Sequence, residues 1–473
     1  MIRRLTAAAA AWAALAAMPA AAQGVSGPDF PGQAEFRGLY KELVEIDTTL
    51  SAGSCTRASE AMAARLRAAG YPERDIRILT PADRPKDGNL IVLLPGTDPA
   101  LKPLMLLAHL DVVEARREDW ARDPFTLVEE DGYFYARGAI DDKAMAAAFT
   151  DAMIRYRREG FQPRRGLKLV LTCGEETPDT FNGVSWLLQE HPGVLDAAFA
   201  LNEGAGGRLD GDRRVYLGIQ AGEKVYQDFV LETTNRGGHS SRPVKDNAIY
   251  RLSAALGRIG AYDFPVRLNE ATRLHFERMG PIQGGAVGAD MKAVLADPPP
   301  AAALARIARD PGYNAMMRTT CVATTVTAGH APNALPQRAV ANVNCRILPG
   351  ESVAATQEAL ARVVADPGVA IRAVGQPSPV SAPPPLSPDI TGPAEQVIAD
   401  LWPGVPLVPA MTTGATDGRF LLAAGIPTYG LSGMFGEADG GGAHGLNERI
   451  RVRSLYEGRE YLYRVVKLYA NQP

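Results

Sequence analysis

Short, uninterrupted apolar runs alternate with amphipathic stretches through the first part of the chain. Leu104 to Ala108, Leu167 to Thr172 and Ala197 to Leu201 are apolar almost throughout, and Gly88 to Leu94 closes on Pro95-Gly96. Runs of this length bounded by turn residues predict strands buried on both faces. Helical periodicity predicts helices over Phe36 to Asp47, Arg57 to Ala69 and Lys143 to Arg158. This alternation predicts an α/β domain with a mainly parallel sheet.

The rhythm changes near Gly222. Strand-like Val225 to Thr234 precedes helix-like Asp246 to Ile259, then two strands (Thr319 to Ala328, Arg338 to Leu348), helix Val353 to Val364 and strand Ala370 to Val374. That is the split βαβ order of a ferredoxin-like α+β sandwich. An Ala- and Pro-rich segment, residues 261–318, interrupts it. Pro-rich Gln376 to Pro388 reads as a linker back, and helix-like Ser454 to Tyr469 completes the first domain. The predicted organisation is one domain over 30–219 and 377–473, with a second domain, 220–376, inserted within it.

The N-terminus adds a destination. Arg3 and Arg4 precede an apolar run from Leu5 to Ala17, followed by Ala20-Ala21-Ala22. That order predicts a secretory signal over residues 1–22, cut after Ala22. The expected location is periplasmic or secreted, with no membrane span after cleavage. A net charge of −3 over 473 residues offers nothing to attract nucleic acid. Cys55, Cys173, Cys321 and Cys345 lack metal-ligand spacing. In an antiparallel hairpin of the two strands, Cys321 falls opposite Cys345, as a disulfide or as two buried thiols.

Several strands end in loops that carry acids or histidines. Ala108-His109-Leu110-Asp111 follows one, Cys173-Gly174-Glu175-Glu176 another, and Asn202-Glu203 a third. A further acidic loop, Arg137-Gly138-Ala139-Ile140-Asp141-Asp142-Lys143, precedes a helix, and His444 lies in a glycine-rich turn. Singly, each is ordinary surface chemistry. Gathered together, so many carboxylates and imidazoles would need cations to neutralise them, as in two-metal sites. No Ser-His-Asp or reactive-Cys pattern competes.

On these motifs, together with Thr413-Gly414-Ala415-Thr416-Asp417-Gly418-Arg419-Phe420, the chain resembles the co-catalytic zinc exopeptidases and deacylases. That family includes aminoacylase, glutamate carboxypeptidase, carboxypeptidase S, acetylornithine deacetylase and succinyl-diaminopimelate desuccinylase. The inserted lid segment and Gly238-His239-Ser240-Ser241-Arg242-Pro243 look most like the carboxypeptidase S branch. The resemblance implies two Zn2+ ions, with Co2+ or Mn2+ as substitutes. His109 and Glu203 would bind one, Glu176 and His444 the other, and Asp141 would bridge them. Asp111 would orient the His109 imidazole, and Glu175 would act as general base. Asp142 would not be a ligand.

From the lid, His239 would reach the reacting oxyanion, or else be a surface histidine. Asn333 and Arg346, with Gly414 and Arg419 on the catalytic side, would hold the substrate's carboxylate or carbonyl; Arg346 could equally be a strand residue. The resemblance further implies a homodimer through the lid. Three functions stay open: a dipeptidase or carboxypeptidase acting on short peptides, an amidohydrolase of N-acyl amino acids, and an inactive binding protein. Export leans towards peptide scavenging. Loss of Glu175 or of a ligand would mark the third, and every position is occupied.

Overall fold

The apolar runs at the heart of the chain become strands because their residues have no polar face to offer solvent. Leu104–His109, Leu167–Thr172 and Phe199–Asn202 are buried along their whole length and run parallel in a ten-stranded sheet. The computed structural model describes residues 30–177, 180–375 and 379–472. The predicted export segment, 1–22, and residues 376–378 of the linker lie outside these.

Thr428–Gly430 continues the parallel centre beside Phe199–Asn202. Both flanks turn antiparallel: Ile76–Leu79 pairs with Asn89–Leu94, and Gly207–Asp210 with Arg213–Glu223. Helix Lys143–Arg158 is buried over most of its length. Its alanines, Ala144, Ala146, Ala147, Ala148 and Ala152, let it lie close to the sheet, and Val452–Ala470 packs alongside in the same core. Because the central strands are parallel, their carboxyl ends share one edge, and the loops that follow them converge there.

The polypeptide leaves this sheet at Glu223 and enters a second, four-stranded one. Its order from edge to edge is Thr320–Ala328, Arg338–Ile347, Val225–Thr234, Val369–Val374, all antiparallel. This is the ferredoxin-like arrangement that the order of elements predicts. Alternate residues Val225, Phe229, Leu231, Val343, Cys345 and Ile347 form a buried face against Leu252, Ala255 and Leu360 of the two helices. The opposite face carries Tyr226, Asp228, Asn342, Asn344 and Arg346.

The segment between these elements forms four helices with a core of their own around Phe276, Met279, Met291, Ile307 and Met317. That core includes Val408 of strand Leu407–Thr412, and His275 Nδ1 lies 2.9 Å from the Pro409 carbonyl. The segment therefore packs against the larger sheet although it is inserted in the smaller domain's sequence.

Cys321 pairs with Cys345 in register and the two form a disulfide. A second, Cys55–Cys173, was not foreseen from the sequence. It joins the start of helix Cys55–Ala68 to the residue two before Glu175. Sequence separations of 118 and 24 residues correspond to about 5 and about 3 kcal/mol of unfolded-state restriction. No helix among the described residues is long and apolar enough to cross a membrane.

Candidate metal centre

His109 is the last residue of its strand, so its side chain emerges where the parallel sheet ends. The loop after Leu167–Thr172 brings Glu175 and Glu176 to the same edge, and Glu203 follows Phe199–Asn202 directly. Asp141 arrives on the loop that starts helix Lys143–Arg158. His444 comes from a glycine-rich turn far along the chain, at φ +61°, a left-handed conformation uncommon for a residue with a side chain.

The geometry centres on Asp141. Its Oδ1 lies 3.1 Å from His109 Nε2, and its Oδ2 lies 3.1 Å from His444 Nε2. Glu176 Oε1 is 2.9 Å from the same His444 nitrogen, and Glu203 Oε1 is 3.8 Å from His109 Nε2. Ligand atoms of His109, Asp141 and Glu176 lie within 4.8 Å of one another, as do those of His109, Glu175 and Glu203. The structure thus brings together all six residues named for metal binding and general-base catalysis. Asp142 instead turns inward and accepts the His109 amide at 3.3 Å.

Asp111 lies against the His109 ring with both its carbonyl and its carboxylate. His109 Nδ1 faces the Asp111 main-chain carbonyl at 3.0 Å, nearer than the Asp111 carboxylate at 3.7 Å. The carboxylate also accepts the amides of Glu175 (3.3 Å) and Glu176 (3.0 Å). Asp111 therefore sets both the imidazole and the acidic loop.

The charges of the cluster act strongly on one another. Burial, reinforced by neighbouring carboxylates, pushes Glu175, Glu203 and Asp142 well above the usual carboxylate range. Hydrogen bonds to Asp141 and Glu176 raise His444 to about 10. Against its burial, the two histidines hold Asp141 below its ordinary value. The donor set of two imidazoles and several carboxylate oxygens suits borderline divalent metals. His109, Asp141 and Glu203 offer donors on one side; Asp141, Glu176 and His444 offer them on the other.

A pH dependence follows for the metal-free protein. A carboxyl whose folded pKa is raised keeps its proton after the unfolded chain has lost it, so stability falls as pH rises. Glu223, pushed by burial from 4.5 to about 7, marks the window, and Glu175 and Glu203 act in the same direction. Lys143 and Lys224, lowered by burial to about 7, stay protonated in both states below that pH. The melting temperature of chelated protein should therefore drop between pH 4.5 and pH 7 at fixed ionic strength, and adding metal should reverse the drop. A rise over that interval without metal would contradict the cluster's charge state.

The lid residues fall into two groups, neither of which is among the metal-ligand clusters. His239 is exposed on a two-residue strand opposite Ala334. Its Nδ1 accepts the Ser241 amide at 3.1 Å, which leaves the neutral ring's proton on Nε2 as an outward donor. Asn333 sits beside it, its carbonyl accepting the Ser240 amide at 3.0 Å. Arg346 lies at the junction of the domains, over the Tyr226 ring and 3.5 Å from the Thr413 carbonyl. Burial lowers its pKa, Tyr226 opposes that shift, and the charge of Arg419 adds to it. Gly414 donates its amide to Thr412 Oγ1 in the same loop.

Sequence reasoning missed two buried acids that build the site. Asp417 accepts from Thr172 Oγ1 (2.9 Å) and Asn182 Nδ2 (2.5 Å), tying the Thr413–Phe420 loop to the strand before Glu175. Glu448 accepts four donors from the Asp141 loop. Asp417 lay inside a recognised motif. Nothing marks Glu448 beyond its place four residues after His444.

The family model described as Peptidase family M20/M25/M40 matches residues 105–468. The chain is 30% identical over 391 residues to the N-fatty-acyl-amino acid synthase/hydrolase PM20D1 of Homo sapiens, across 79% of this chain and 75% of that protein. It is 27% identical over 385 residues to probable carboxypeptidase S-like 2 of Dictyostelium discoideum, across 79% and 72%. In fold it is similar to the M20 family metallo-carboxypeptidase Sso-CP2 from Sulfolobus solfataricus, with a TM-score of 0.68 and 19% identity over 92% of this chain and 99% of that one.

Proposed function

Because this chain belongs to peptidase family M20/M25/M40, whose members are metal-dependent hydrolases of amide bonds, we propose that it cleaves an amide next to a free carboxylate using two zinc ions. The observation that carries this is Asp141, whose two carboxylate oxygens each face a different histidine at 3.1 Å. A carboxylate so placed can serve two cations at once. Such a pair polarises a scissile carbonyl and makes water a nucleophile near neutral pH.

The remaining work falls to side chains. Glu175, within 4.8 Å of the His109 and Glu203 donor atoms, takes the proton from the attacking water and delivers it to the leaving amine. The Nε2–H of His239 is the donor for the oxyanion once the lid approaches. Arg346 and Arg419 receive the substrate's carboxylate, for which a guanidinium is matched in charge and geometry.

N-acyl amino acids and short peptides with a free carboxyl end share this chemistry. The name of the 30%-identical human relative favours N-acyl amino acids; the carboxypeptidase-like relative favours peptides as the second reading. Export to an oxidising compartment accords with two formed disulfides. A homodimer through the lid accords with the exposed edge strand Thr320–Ala328.

The test is hydrolysis of a mixed panel of N-acyl amino acids and dipeptides by protein from Gln23 onward, with products identified by mass. Turnover should vanish on chelation and return with Zn2+. Methyl esters of the same substrates should be poor, since they remove the carboxylate. Equal cleavage of acids and esters would refute the carboxylate reading, and turnover that survives chelation would refute the metal.

A further inference from the structure

We propose that Glu448 is a positioning residue whose one buried carboxylate holds the Asp141 loop and the His444 loop at the spacing that shared cations require. This rests on the metal centre proposed above. Oε2 accepts from Arg137 Nη1 at 2.7 Å and from the Gly138 amide at 3.0 Å. Oε1 accepts the Ile140 amide at 2.9 Å and that of Asp141 itself at 3.1 Å. Glu448 is fully buried.

The converging amides depend on the local backbone. Gly138 has φ +79°, and a Cβ there would meet Val112 and Lys143 atoms at 2.8 and 3.0 Å. A left-handed residue in such a turn lets neighbouring N–H groups point at one anion. The other half of the device reaches His444. Arg137 Nη2 donates to the Gly445 carbonyl at 2.9 Å, and the Glu448 carbonyl accepts the Ala136 amide at 3.2 Å. Two loops some three hundred positions apart are thus fastened next to their ligands, not at a distance from them. The donors leave no freedom in the acceptor: an amide in place of the carboxylate would point its own N–H groups at amides and a guanidinium.

The experiment titrates zinc into wild-type protein, Glu448→Gln and Arg137→Lys after chelation, measuring bound metal at buffered free Zn2+ and melting each sample by circular dichroism. Partners that orient metal ligands typically change affinity about 10- to 100-fold, and that loss is the expected result in a Glu448→Gln protein that still melts cooperatively. A role confined to stability would lower the melting point and leave zinc affinity untouched, which overturns the inference. Should Glu448→Gln fail to fold, Arg137→Lys decides in the same way: weakened zinc binding upholds the inference, and wild-type affinity overturns it. Wild-type protein that binds no zinc would instead bring down the metal centre, and this inference with it.

Discussion

Glu175→Gln is expected to lower kcat by about 10³-fold, within the range typical for removing a positioned acid or base. The substitution keeps the volume of the side chain while removing its charge and its capacity to carry a proton. The Glu175 amide is held by the Asp111 carboxylate at 3.3 Å, and that bond does not involve the altered group. Zinc content and melting behaviour should therefore stay near wild type, and KM should change little. The separation matters because Glu175 also lies within 4.8 Å of His109 and Glu203 donor atoms. If Glu175→Gln loses metal in parallel with activity, the residue is a ligand and not the base. If kcat survives, the proton transfer belongs to another group.

A loss of comparable size, by a different route, is expected for Asp141→Asn. An asparagine keeps one oxygen and turns an amide N–H₂ towards either His109 or His444, so one side of the site loses its donor. Removing one partner of a buried charged set costs about 3–5 kcal/mol, equivalent to about 10²- to 10⁴-fold in affinity. Zinc analysis at controlled free metal should show at most one tightly bound ion per chain, with hydrolysis lost in proportion. Two ions retained at wild-type affinity would show that Asp141 does not bridge. The contrast between the variants is diagnostic: one loses chemistry with the metals in place, the other loses the metals.

Much of this protein is legible in its sequence. Leu104–His109 and Leu167–Thr172 could be read as buried parallel strands because apolar runs of that length have few other stable settings. Parallel strands then oblige the loops after them to share one edge, which is why His109, Glu175, Glu176 and Glu203 could be grouped from their positions alone. The ferredoxin-like order of the lid, and the facing of Cys321 and Cys345, followed from strand periodicity and hairpin register. These are local patterns, or patterns one connection away from local.

What only the tertiary structure decided depends on approach between distant segments. Glu448 reads as an ordinary acid until its carboxylate meets the amides of 138, 140 and 141. Cys55 and Cys173 are 118 residues apart, and no periodicity relates them. The inserted helices carry a sequence that places them in the lid, yet Phe276 and Met279 share a core with Val408 of the larger sheet. How closely the carbonyl and the carboxylate of Asp111 each approach His109, 3.0 and 3.7 Å, is decided there too. Sequence pattern determines which face of an element must be buried and which loops lie at its ends; which buried polar group finds which partner is set by packing between elements far apart in the chain, where each unpaired donor carries a cost.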